Sequence, residues 1–239
     1  MNAGDFFDLP KSLSVFAHFF PLNEPPWLWL ENIEKALIAC GHSNALGIRH
    51  NFFKKVKKLF SKKERQRVGK NVYIAKDVHL PVTCIIEDNV YIGTGTQIHN
   101  GALIRQNVII GENCVIGNAC EIKNALIMDN VRVAHFNYVG DSILGSRSHL
   151  SAGAILSNLR FDERPISFRI GDEKITTKRR KCGAILGENA QIGCNAVLLP
   201  GTLIGKDSIV STGTVFGGFL EDHKIVRTQA KNVIAERRL

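Results

Sequence analysis

Apolar branched residues recur every six positions along most of this chain. Ile74, Leu80, Ile86, Ile92, Ile98, Ile104, Ile110, Ile116 and Ile122 follow one another at that single spacing. Six is neither the period of a helix nor the alternation of one strand. The step shortens to five between Ile122 and Ile127, resumes through Val133 and Val139, and shortens again to Leu144. It resumes at Leu150 and Leu156 and, after an interruption, at Leu186, Ile192, Leu198, Ile204, Val210 and Phe216. Gly often follows the apolar residue, as at Gly93, Gly111, Gly117, Gly140, Gly145, Gly187, Gly193 and Gly205. The fourth residue after it is small or β-branched, as at Thr96, Ala102, Cys114, Cys120, Ala154, Ala190 and Ala196.

This pattern predicts a mainly β protein, a parallel β-helix of hexapeptides with three to a triangular coil and about seven coils in all. The large and the small residue of each hexapeptide both point into a narrow prism. Each coil pairs its backbone with the coils on either side. The interruption at 159–183 is charged and returns to the same register, which predicts a loop leaving one corner.

The expected division is 1–70 as a helical extension, 71–216 as the β-helix and 217–239 as a tail with a short basic helix. Pro25 and Pro26 precede a helix starting near Trp27, with Trp27, Leu30, Ile33, Ala36 and Leu37 on one face. A second helix is expected at 51–66, with Phe52, Phe53, Val56, Leu59 and Phe60 as its stripe and lysines opposite.

Composition narrows the function classes. The chain has 239 residues, 44% hydrophobic and 22% charged, which excludes a disordered protein. No apolar run approaches the roughly 18 residues of a membrane span. Asp5 and Asp8 stand where a signal peptide is basic, and the six cysteines form no CxxC pair. A cytoplasmic location is expected. Of the formal net charge of +9, all falls between Arg49 and Lys70. Contact of 49–70 with a membrane surface is conceivable but not favoured over a solvated helix face. Nucleic acid is disfavoured because no aromatics interleave with the lysines.

Gly201–Asp207 has the wrong spacing for a phosphate loop and fits the hexapeptide register. Cys84, Cys114 and Cys120 hold small inward positions, whereas Cys194 falls near a coil surface. His135 lies two positions after Val133 and so projects from its coil.

The segments EIKN (Glu121–Asn124), AHFNYVGD (Ala134–Asp141) and SNLRFDE (Ser157–Glu163) occur in that order, followed by RRK at Arg179–Lys181 and by Gly183. The chain thereby resembles the acetyltransferase domain of the bifunctional N-acetylglucosamine-1-phosphate uridyltransferase/glucosamine-1-phosphate acetyltransferases, above all their archaeal-type members. The resemblance covers about residues 74–216. It implies a left-handed β-helix, acetyl-CoA as co-substrate and a homotrimer with clefts between prisms. It implies His135 as catalytic base, with Glu121 and Asn158 beside the reacting groups. Arg105, Lys123, Tyr138, His149 and Lys181 are the implied substrate residues, Lys181 coming in some members from a neighbouring subunit. Ala152, Cys194, Thr212 and Arg227 are the implied cofactor residues. His149, Ser151 and Leu159 depart from the family pattern and bear on the choice of sugar. Residues 1–70 stand where the family carries its nucleotidyltransferase domain, so no pyrophosphorylase activity is expected.

The expected chemistry is acyl transfer from a thioester to an amine, in the pathway to UDP-N-acetylglucosamine. An ammonium cannot attack, and a histidine, with an ordinary pKa of roughly 6.5, can take its proton near neutrality. No metal is required. The alternatives are another sugar acceptor, a catalytically silent scaffold, and a zinc enzyme using His99, His135 and His149.

Overall fold

The computed structural model of the chain describes residues 1–42, 68–229 and 234. The basic helix expected at 51–66 lies outside the described residues, as do 230–233 and 235–239 of the tail where the short basic helix is expected.

Residues from Val72 onward wind into a three-sided parallel β-helix whose faces contain eight, seven and seven strands. The first face is made of Val72–Ile74, Val90–Ile92, Val108–Ile110, Ala125–Ile127, Ile143–Leu144, Ala184–Leu186, Thr202–Ile204 and Phe219–Leu220. The second runs from Gln97–Ile98 through Arg132–Val133 and His149–Leu150 to Ile225–Val226. The third runs from Ile85–Ile86 through Leu103–Ile104, Glu121–Lys123 and Tyr138–Gly140 to Val215–Phe216. The coil therefore continues past Phe216, where the sequence reading ended it. Phe219 and Leu220 pair with Leu203 and Ile204, and Ile225 and Val226 pair with Ile209 and Val210.

The six-residue repeat forms the interior. Ile92, Ile98, Ile104, Ile110, Ile116 and Ile122 are fully buried in one cluster with Cys114, Cys120, Ala154 and Ala196. Each fully buried branched side chain contributes about 1.5–3 kcal/mol. Turning three times per coil requires left-handed residues at the corners. Between the third and first faces these are Asn71, Asn89, Asn107, Asn124 and Asp141, with φ of 52°, 57°, 61°, 44° and 46°. Asn tolerates this region better than other residues with side chains. Their side chains form a ladder, Asn71 donating to Asn89 at 3.0 Å and Asn89 to Asn107 at 3.1 Å.

The first face is apolar on its outer side as well. Tyr91, Ile109, Leu126, Ile143, Ile185 and Leu203 point outward there, and all are buried. The amino-terminal segment covers them. Its helix Trp29–His42 packs Leu30, Ile33, Ala36 and Leu37 inward, with Trp27 just before it, as the sequence predicts. Phe16 meets Tyr91 edge to face with centroids 5.3 Å apart, and Ser12 Oγ donates to Asp129 Oδ1 at 2.6 Å.

The interruption at 159–183 is not an open loop. Ser167–Ile170 and Glu173–Thr176 pair as an antiparallel hairpin turning at Gly171 (φ +57°). Ile166 and Phe168 are fully buried, and Phe168 stacks on Trp27 with centroids 4.6 Å apart. Extension, hairpin and outer first face share one hydrophobic core.

Candidate active site

All the expected site residues but His149 lie along the two edges of the third face. At the edge with the second face, successive coils stack one turn on the next. Phe136 N–H donates to the Asn118 carbonyl at 2.9 Å, Gly153 to His135 at 2.8 Å, Asn195 to Ala152 at 2.9 Å and Gly213 to Cys194 at 2.8 Å. His135, Ala152, Cys194 and Thr212 thus form one column. His135, Cys194 and Thr212 are exposed and Ala152 is half-buried. Arg227 follows the last second-face strand, at the same edge and one coil further on, and is exposed. Phe136, beside His135, is 64% exposed and has φ +57°. Other coils use Gly101, Gly153 and Gly213, or the smaller Ala119 and Asn195, at that turn, so a bulky aromatic residue there is strained.

At the opposite edge, a polar cluster joins the third face to the first. Arg105 Nη1 donates to Glu121 Oε1 at 2.9 Å, and Glu87 lies 3.9 Å from Arg105 Nε. The hydrogen bond to Glu121 raises the Arg105 pKa. Lys123 is half-buried, and burial lowers its pKa. Asp141 opposes that shift, while Lys181 and Arg105 add to it as like charges. Tyr138 reaches over Gly140, where a Cβ would meet its hydroxyl at 2.6 Å and Asn158 Nδ2 at 2.7 Å. Only glycine leaves room for that crossing. Burial raises the Tyr138 pKa, and Asp141 and Glu121 raise it further.

Asp141 is a centre of this cluster that the sequence reading passed over. It is 5% exposed and accepts from Asn124 Nδ2 at 2.8 Å and from Asn158 Nδ2 at 2.5 Å. It ends the corner column that starts as the asparagine ladder. The signal was available in the shortened steps. Both five-residue intervals fall at this corner, at Asn124 and at Asp141, where a six-residue corner such as Arg105–Val108 carries one residue more. The wall is drawn in by one residue in two successive coils beside Lys123.

Within one protomer, the structure brings together Arg105, Glu121, Lys123, Tyr138, Asn158 and Lys181. Lys181 lies against Lys123 of its own chain. The cluster and His135 share the third face, with Phe136 and Asn137 between His135 and Tyr138. His149 is elsewhere. It points out from the second face, in register with Arg132 and Gln191. A shallow depression of about 380 Å³ there is lined by Asn130, Arg132, Arg147, Ser148, His149 and Gln191. Burial, and then the Arg132 charge, lowers the His149 pKa. Among the described residues, no three His, Cys, Asp or Glu side chains of the chain converge as a metal site.

Residues 69–160 match the family described as the LbH domain of EIF2B subunit epsilon, LbH denoting a left-handed β-helix. Residues 183–218 match the bacterial transferase hexapeptide family of six repeats. The bifunctional protein GlmU of Methanococcus vannielii is 35% identical over 112 residues, 47% of this chain and 27% of that protein. Over this stretch the coil is similar to GlmU proteins, and its later coils carry the hexapeptide repeat. A bifunctional sugar-1-phosphate nucleotidylyltransferase/acetyltransferase of Sulfurisphaera tokodaii is 36% identical to it over 90 residues, 38% of this chain and 22% of that one. The chain thus spans about a quarter of the length of the curated relatives it matches. A Francisella novicida UDP-N-acetylglucosamine acyltransferase structure covers 65% of this chain and 58% of its own, at 18% identity and a TM-score of 0.42. In this chain the hexapeptide coil carries the amino-terminal extension packed on its first face. Among the described residues, no helix is long and apolar enough to cross a membrane.

Proposed function

We propose that this chain transfers the acetyl group of acetyl-CoA to the amine of an amino-sugar phosphate, glucosamine-1-phosphate being the expected acceptor. The observation that carries the reading is one narrow wall edged on one side by the column of Ala152, Cys194, Thr212 and the exposed His135, and on the other by the Arg105–Lys123–Lys181 cations. The homology to GlmU proteins supports the same reading.

In this reading the cofactor lies along the column, where Ala152 and Thr212 leave space beside the coil and Arg227 meets its phosphates. Lys123 and Lys181 hold the acceptor phosphate as charge-assisted donors. Arg105 joins them by exchanging Glu121 for phosphate, and Tyr138 and Asn158 orient the sugar. The amine attacks the thioester carbonyl, the C–N bond forms, the C–S bond breaks, and His135 takes the amine proton for delivery to the departing thiolate. Backbone N–H groups of a neighbouring coil meet the oxyanion. No acyl-enzyme and no metal enter this sequence. Three copies assemble with clefts between prisms, which gives the flat wall its second side. Cys114, Cys120, Cys182 and Cys194 are thiols, which suits a reducing cytoplasm.

The test is thiol release from acetyl-CoA over amino-sugar phosphates with and without a UDP group. Glucosamine-1-phosphate should turn over, and His135→Ala should lower kcat at least about 100-fold without changing assembly. Wild-type turnover in His135→Ala removes the base. A second reading, a non-catalytic coil, is favoured by the match of 69–160 to a domain not described as a transferase. Silence with every acceptor decides for it.

A further inference from the structure

The excursion leaves the coil at Asn158 and returns at Lys181, so the placement of both residues depends on how the excursion is held. Its two roots are joined by a single antiparallel bridge, Leu159 to Lys181, and by Cys182 N–H donating to the Asn158 carbonyl at 3.0 Å. A two-stranded hairpin of this length is marginal by itself in water. Its buried side chains, Ile166 and Phe168, have no core of their own and lie in the one built with the amino-terminal extension.

The extension also reaches the root directly. Glu31, on the helix Trp29–His42, pairs with Arg179 Nη1 at 3.1 Å. Arg179 Nε donates to the Lys181 carbonyl at 3.3 Å, and its own carbonyl accepts from Ile166 N–H at 2.8 Å. The Arg179 side chain is 18% exposed and that of Glu31 50%, so the guanidinium end of the pair is shielded and the carboxylate end meets solvent. A chain of contacts therefore runs from the amino-terminal helix through one guanidinium to the backbone of the lysine that faces Lys123.

We propose that Glu31 is a positioning residue of the acceptor site, acting through Arg179 on Lys181, with the Trp27–Phe168 stack holding the hairpin in place. The amino-terminal extension is then a working part of the site as well as a cover for the first face. The kinetic half of this proposal rests on the acyl-transfer reading above, and its structural half does not.

The experiment uses the full chain carrying Glu31→Arg, Glu31→Gln or, as a control on the same helix, Glu34→Arg. Glu31→Arg repels Arg179 and should raise KM for the acceptor phosphate about threefold to tenfold, a charge reversal exceeding the loss of one pair. The turnover number and KM for acetyl-CoA should stay within about twofold, a split that a general loss of structure does not produce. Amide hydrogen exchange across 177–183 should quicken in the same variant. Glu31→Gln keeps an acceptor oxygen and should show a smaller rise, and it carries the test if the reversal impairs folding. Glu34→Arg makes the same change of charge away from Arg179 and should leave both readouts as in wild type. Unchanged acceptor KM and unchanged exchange in Glu31→Arg, or equal changes in Glu34→Arg, would overturn the proposal. If the wild-type chain transfers acetyl to no acceptor, the functional reading fails, and the exchange measurement then decides the clamp independently.

Discussion

Lys123 is the residue whose chemistry the fold alters most usefully. Its ordinary value would be 10.5, and burial lowers it, with Lys181 and Arg105 contributing as like charges. The protonated form is the one that holds an anion. Because that form is lost at a lower pH than for an exposed lysine, the alkaline fall in kcat/KM for a phosphate acceptor should begin below 10.5. Lys181→Ala removes a like charge, so the fall should move toward higher pH even as KM rises. A pH profile of the two enzymes checks both signs, and an unshifted limb would mean that another group sets it. His135, by contrast, is assigned on position alone: it stands on an open edge in line with Ala152, Cys194 and Thr212. Both placements were legible from spacing and motif. Asp141 was not, because its importance lies in what converges on it. Asn124 and Asn158 reach it from different coils, and a sequence read one hexapeptide at a time does not bring them together.

At the scale of elements, the hexapeptide period specified the coil because every sixth side chain has one place to go. The cover on the first face was written just as plainly and was passed over. Val-Tyr-Ile at 90–92, Val-Ile-Ile at 108–110, Ala-Leu-Ile at 125–127 and Ala-Ile-Leu at 184–186 are apolar at their middle, outward residue. The corresponding residues on the other faces include Gln97, Arg132 and Gln191, or Glu121 and Tyr138. A wall apolar on both sides must be covered, and buried parallel strands read as continuous apolar runs for that reason. The hairpin, too, had its signal in the alternation of Phe168 and Ile170 before Gly171-Asp172, a turn pair. What no local pattern supplies is the partner, since Trp27 meets Phe168 across most of the chain. The burial difference is testable. Leu126→Ala, fully buried under the extension, should cost about 2–5 kcal/mol of stability. Ile225→Ala, 58% exposed in the outward column of the second face, should stay within about 0.5 kcal/mol. Denaturant melts of the two variants make the comparison.

The whole molecule presents its candidate chemistry on a wall rather than in a hollow. A flat wall excludes little water, and catalysis by preorganised donors needs a site that does. The trimer of the functional reading supplies the missing side, so sedimentation should give a mass of three chains. Specific activity should fall on dilution once the assembly dissociates, whereas a chain active as a monomer would keep its rate at every concentration.

The sealed first face also fixes which way such an assembly can be oriented. One of three walls is taken by the chain's own amino-terminal residues, so in the proposed trimer seams formed across the two bare walls leave the extension on the outer rim. A fluorescent label or affinity handle attached at the amino end would then decorate the periphery, clear of both the threefold axis and the seams where substrates would enter.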